Sequence, residues 1–339
     1  MMQVLRVIVV TILLFPGFVG AGAVQAADWP GQWVSEHARE HPLAGRILDV
    51  ASGRLIEPEA YLAALSKAAH VALGEIHDNA DHHRLQAWVV QRLGGGGRAV
   101  VFEHFRADQQ DILDAFASGI EGGNAKGDDP VEKLFLVTDW ARSGWPDKAI
   151  YAPLMRAVID GRLSLLAGNP PRRRVMEVAR GGFGAISSDA QRRLLLDREL
   201  GAGLGDALLD ELEASHCGLM PKSAFANMAA AQRFKDGFMA RVMSDAAVAG
   251  RGTILIAGNG HVRLDRGVPW YLERMRPEGG SEGIVAVAHV EVDPERVDPP
   301  QYVESGTAGA YSFIVFTPIA ERPDPCEEMR KRFNKRSKD

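Results

Sequence analysis

From residue 58 onward the apolar positions follow two alternating rhythms. PEAYLAALSKA, DHHRLQAWVVQRL, ADQQDILDAFAS, DPVEKLFLV, KAIYAPLMRAVID, PRRRVMEVARG and VPWYLERM place apolar residues three and four apart, the period of helices that bury one face. Between them lie short, continuous apolar runs, HVALGE, RAVVFE, LSLLAGN, GTILIAGNGH, GIVAVAHVEV and AYSFIVFTP, with the length and β-branched content of buried strands. This alternation predicts an α/β fold: a mainly parallel sheet flanked by helices on both faces. Asp81 is expected to open its helix, the glycines at 94–97 to end it, and AYSFIVFTP to lie at a sheet edge.

Residues 187–250 break the rhythm. DAQRRLLLDREL, DALLDELEA and KSAFANMAAAQRFKDGFMARVMSDAAV all have the helical period and no strand intervenes, which predicts an α-helical insertion acting as a lid over a site or as an interface. Residues 293–309, rich in Pro, Gly and charge, read as loop, and KRFNKRSKD as a disordered tail. At the other end, MMQVLRVIVVTILLFPGFVGAGAVQAADWP has an arginine, an apolar run and small residues at Val24 and Ala26, the layout of a secretory signal cut after about Ala26. Pro16 and Gly17 interrupt the run, leaving it too short for the ~30 Å hydrocarbon layer. No cysteine stands near the cut, so a periplasmic protein without a lipid anchor is expected. The chain thus divides into a signal peptide over 1–26, one α/β domain over 27–320 and a basic tail over 321–339.

Composition changes this picture little. A hydrophobic content of 46% suits a packed core, and a net charge of −5 with scattered basic residues excludes a nucleic-acid stripe. Cys217 and Cys326 are either one disulfide of an oxidising compartment or two thiols, and neither belongs to a CxxC metal pattern.

The chemistry gathers where strands end. HVALGEIH ends in Glu75 and His77, AVVFEH in Glu103 and His104, LSLLAGN in Asn169, and TILIAGNGH in Asn259 and His261. In open α/β sheets ligands bind beyond the carboxyl ends of the strands, so these residues are expected to converge. Two of the ends share the pattern GxxH, Gly74 to His77 and Gly258 to His261, with a glycine that lets the backbone turn as it leaves the sheet. Two imidazoles with carboxylates suit zinc, or a harder divalent ion completed by water, and equally suit a general acid/base pair. The alternative is structural: histidines fixing loops, and Glu75 and Glu103 paired with an arginine such as Arg142 or Arg172. His82, His83 and His104 rank lower, the first two as surface residues of a helix. Trp140, Arg142 and Trp145 in TDWARSGWPDK would either wall a flat apolar ligand, with Arg142 pairing its acidic group, or plug a packing gap. Arg172, at a helix start after Asn169, would favour an anion.

Taken together, GEIHDNADHHRLQ, FEHF, TDWARSGW with the following YAPLM, AQRFKDGFMARVM and ILIAGNGHVRLDRGVPWYL resemble the ChaN-like proteins, bacterial haem-binding uptake proteins classed with the Tiki and erythromycin esterase-like groups. The resemblance runs from about Leu55 to the last strand. It implies an α/β fold, export to the cell envelope and a role in haem or iron acquisition with haem as cofactor. The Tiki relatives, metalloproteases with two GxxH motifs and a glutamate, imply His77, Glu103 and His261 as metal ligands with Glu75 beside them. A haem-ligating tyrosine is also implied, and it is not placed among Tyr61, Tyr151, Tyr271, Tyr302 and Tyr311. The expected function is an exported haem- or iron-complex-binding protein, with Trp140, Arg142, Trp145, Asn169 and Arg172 around the cofactor. An envelope or outer-membrane uptake system and a second copy of the chain are candidate partners. The alternative is a metal-dependent hydrolase, a peptidase or esterase, in which Glu75 is general base for a metal-bound water.

Overall fold

The computed structural model describes residues 29, 31–121, 129–276, 283–304 and 308–336. The expected signal peptide and the last three residues of the tail lie outside them. In chain order the elements are β1 (Ile47–Asp49), β2 (Arg54–Ile56), α1 (Pro58–Lys67), β3 (His70–Leu73), α2 (Ala80–Leu93), β4 (Ala99–Arg106), α3 (Gln110–Glu121), α4 (Pro130–Val137), α5 (Lys148–Asp160), β5 (Ser164–Asn169) and α6 (Arg172–Gly181). They continue with α7 (Ser188–Arg193), α8 (Leu204–Ser215), α9 (Ala226–Val248), β6 (Thr253–Ile256), α10 (Val268–Met275), β7 (Ile284–Glu291), α11 (Pro300–Glu304), β8 (Phe313–Thr317) and α12 (Pro325–Arg336).

The strands form one sheet in the order β2-β1-β8-β7-β3-β6-β4-β5, parallel from β8 to β5 and antiparallel where β1 joins β8 and β2. This is the predicted α/β architecture. Because alternate residues face opposite sides of a strand, each central strand feeds two cores. Leu73, Phe102 and Ile256 pack with α1, α2, α4 and α5 on one face, while Ala72, Val101 and Leu255 pack with α6, α9 and α10 on the other.

Several expectations are corrected. β8 is interior, because the β1–β2 hairpin, whose short strands lack the apolar runs of the others, pairs with its outer side. The 187–250 region is helical, and its longest helix, α9, is part of the fold's second layer, burying Phe234, Met239, Ala240 and Met243 in the second core. Its first helix stops at Arg193, short of LLLDREL, and the loop at 293–309 contains the short α11. The tail is helical as far as Arg336, and Cys326 at the start of α12 is disulfide-bonded to Cys217, which resolves the two cysteine alternatives.

Asp81 does not open α2. Asn79 caps it, its side-chain oxygen accepting the N–H groups of Asp81 and His82, while Asp81 accepts those of Val34 and Ser35 at 2.7 and 2.9 Å. An Asn cap two residues past His77 fixes where the β3–α2 loop ends, and so helps to orient that histidine.

Candidate functional site

Strand order assembles the site. β6 lies between β3 and β4, with Leu73, Ile256 and Phe102 level with one another. The residues just beyond them, Glu75 and His77, Gly258 to His261, and Glu103, therefore emerge side by side at the carboxyl edge.

The two GxxH motifs interlock. A Cβ on Gly74 would stand 2.2 Å from Asn259 Oδ1 and 2.8 Å from Val262 Cγ2, and one on Gly258 would stand 3.1 Å from His77 Nε2. Each glycine thus makes room for a side chain of the other motif. Neither has a positive φ, so close approach, rather than the sharp turn expected from sequence, requires glycine.

One half of the cluster centres on Glu75, which is fully buried. Its Oε1 lies 2.8 Å from His77 Nδ1 and 3.0 Å from His104 Nε2, and it accepts the Tyr151 hydroxyl at 3.2 Å. Its Oε2 accepts Gln86 Nε2–H at 2.9 Å and lies 3.4 Å from His83 Nδ1. Burial pushes the Glu75 carboxyl up, but His104 and His83 together with these hydrogen bonds hold it well below the usual carboxylate range. Burial lowers His104, whereas for His77 the same penalty is outweighed by the Glu75 hydrogen bond and the Glu103 charge, and its pKa is raised. The His77 side chain is 37% exposed, and its Nε2, which lies against Gly258, makes no hydrogen bond among the described residues. Trp145 lies edge-on to it at 4.9 Å, its indole N–H donating to His104 O.

The other half centres on Glu103 and His261. His261 Nε2 lies 3.1 Å from Glu103 Oε1, and its Nδ1 is 2.5 Å from Asp236 Oδ1. Lys235 Nζ donates to Glu103 Oε1 at 2.5 Å and lies 3.2 Å from His261 Nε2, while Glu103 Oε2 accepts Gly258 N–H at 3.0 Å. Burial pushes Glu103 up, yet His261 and Lys235 hold it well below its ordinary value. Burial likewise opposes the charge on His261, but Glu103 and Asp236 win and its pKa rises to about 9. Burial raises Asp236.

Glu75, His77, Glu103 and His261 therefore do converge, in two linked halves. Among the described residues the groups offering close-set ligand atoms are Glu75, His77 and His104, within 4.8 Å of one another. His104, ranked low from sequence, is thus a member of the cluster. His82 and His83, expected at the surface, are wholly buried because α2 is covered by both the sheet and α5; His82 accepts Ile76 N–H, and His83 donates to His77 O. The arginine pairing considered for Glu75 and Glu103 is replaced by histidines and Lys235. Trp140 is a packing plug, its N–H on Pro146 O and its ring stacked on His104. Asn169 donates to Glu103 O and so borders the site. Arg142, 84% exposed, pairs with Asp139, and Arg172 lies at the surface, neither with a contact to the cluster among the described residues.

Sequence reasoning missed Lys235, Asp236 and Gln86, and it did not single out Tyr151 from the other tyrosines. One signal was present: Asp236 stands three, four and seven residues before Met239, Ala240 and Met243, a carboxylate on an apolar helical stripe. Such a group must be paired where it is buried.

One solved structure agrees with the architecture. A ChaN protein of Campylobacter jejuni, solved with cofacial haem, has 20% identity and a TM-score of 0.57, covering 79% of this chain and 95% of that one. An erythromycin esterase solved in its open conformation has 14% identity and a TM-score of 0.41, covering 82% of this chain and 97% of that one. No curated protein matches the sequence. Residues 61–272, which include both GxxH motifs and the α9 residues of the site, match the family described as haem-binding uptake, Tiki superfamily, ChaN. The chain belongs to the ChaN family of haem-binding uptake proteins in the Tiki superfamily.

Proposed function

We propose that the protein is exported, cut after about Ala26, and binds haem or an iron complex in the periplasm as part of iron uptake. The family match over residues 61–272 carries this reading. The solved Campylobacter jejuni relative binds haem, and the Cys217–Cys326 disulfide suits an oxidising compartment.

The donor set decides how haem would be held. All five tyrosines are buried, and the hydroxyls nearest the site are committed: Tyr151 to Glu75 and His77 O, Tyr311 to Asn259 O. Burial also raises the Tyr151 hydroxyl, against the phenolate that iron would need. A tyrosine ligand does not fit, whereas His77 does. Its side chain is 37% exposed with no hydrogen bond on Nε2 among the described residues, and Glu75 on Nδ1 fixes the ring and raises its basicity, the arrangement that strengthens imidazole as a metal ligand. The exposed side of Trp145 would meet the edge of a flat ligand.

Titrating the mature protein with haemin and following the Soret band tests this. Saturable binding is expected, with His77→Ala shifting the band and weakening affinity. Non-saturating binding by the native protein would remove the reading.

A second reading, a metal-dependent hydrolase, has one observation in its favour, the close set formed by Glu75, His77 and His104. It predicts a stoichiometric divalent ion that His77→Ala releases.

A further inference from the structure

His261 and Glu103 have the makings of a metal site. Glu103 Oε1 and His261 Nε2 are 3.1 Å apart, and Asp236 holds the far nitrogen of His261, as carboxylates commonly do behind metal-bound histidines. A zinc ion shared by the pair would lie about 2.0–2.2 Å from each. That position is taken. Lys235 Nζ is 2.5 Å from Glu103 Oε1 and 3.2 Å from His261 Nε2, on a side chain only 19% exposed.

The lysine is anchored by its element. Phe234 and Asp236 on either side of it are buried, as are Met239 and Ala240 one turn on, so the α9 backbone stays fixed and only the Lys235 side chain is free to swing. Charge balance favours its staying. Glu103 and Asp236 are two buried carboxylates, and the Lys235 ammonium lies directly against the first of them. A divalent ion would have to expel the ammonium or sit within a few ångströms of it, where like charges repel strongly because the site is shielded from water.

We propose that Lys235 is a built-in cation that closes the Glu103–His261 half of the cluster to divalent metals. The ligand set read from the two GxxH motifs and Glu103 is therefore not a working metal site in the native protein. Iron or another metal is left with the Glu75, His77 and His104 side.

Zinc binding by chelator-stripped full-length protein tests this, measured by competition with a zinc indicator in the native chain, K235M and K235R, each with and without H261A. Any zinc taken by the native protein should be unaffected by H261A. K235M should gain a zinc site that H261A abolishes, and K235R, which keeps the charge, should gain none. Native zinc binding that H261A diminishes would overturn the proposal, as would a folded K235M that gains no site. The comparison of native chain with H261A decides the first point even where K235M does not fold. Haemin titration of the same samples separates the two readings: loss of haem binding throughout would remove the haem function and leave the zinc result standing.

Discussion

Single residues set the site's charge, and His261 shows how. Buried among Glu103, Asp236 and Lys235, it has a pKa raised from 6.5 to about 9, which means that folding favours its charged form. Its contribution to stability is complete below pH 6.5 and is lost as the pH rises through about 9. A shift of this size corresponds to roughly 3 kcal/mol. Asp236, raised by burial, pushes in the same direction at lower pH, whereas Glu75 and Glu103, both lowered, contribute stability that disappears as acid protonates them. Denaturant midpoints should therefore fall between pH 6.5 and 9 in the native protein, and H261Q should flatten that slope. A native curve level across this interval would show that the ring is not charged. The residues that pull on His261 were only partly legible. Its own place at a strand end was evident, but Lys235 and Asp236 lie in a helix 25 or more positions away, and pairwise approach across that distance leaves no mark in a one-dimensional pattern.

At the scale of elements, the two strand-end loops behave as one unit, because each glycine seats a side chain of the other loop. Gly74→Ala puts a methyl group 2.2 Å from Asn259 Oδ1 and 3.0 Å from Val287 O, and the backbone oxygen cannot retreat as a flexible side chain would. The expected cost is about 2–3 kcal/mol, at the upper end of ordinary overpacking. Gly95→Ala is the control: nothing lies within 4 Å of the added carbon and φ is not positive, so its effect should stay within about 0.5 kcal/mol. Urea unfolding of both variants checks the contrast, and equal losses would mean that the interlock is not what makes Gly74 necessary. The sequence shows the GxxH pairs plainly. Their meaning changes with the structure, from a turn device to mutual packing, because a close approach between two loops becomes visible only when strands β3 and β6 are side by side.

For the whole molecule, the Cys217–Cys326 bond ties the turn after α8 to the start of α12 across 109 positions. A closed loop of that length restricts the unfolded chain, and removing such a bond typically costs about 2–4 kcal/mol. The C217A/C326A variant should unfold at lower denaturant concentration, and in the native protein a reductant should make α12 the first site of protease cleavage. An unchanged midpoint would mean that α12 is held by packing alone. The bond also bears on export, since a periplasmic protein can keep it whereas a reducing cytosol opposes it.

The sequence by itself determined the α/β class, the helical nature of residues 187–250, most strands and helices, and the polar character of the strand ends. These follow from local periodicity, because a helix or strand must bury one face and writes that face into its residues. It also carried the family resemblance, through blocks spread over most of the chain. Only the tertiary structure decided that β6 inserts between β3 and β4, that β8 is interior, that the cysteines pair, and that His82 and His83 are covered rather than exposed. It alone placed Lys235 between Glu103 and His261, where a metal was expected. The physical reason is common to all of these. Strand order, burial on a second face and the meeting of charges are set by which surfaces come into contact, and contact between distant segments is decided by the packing of the whole chain.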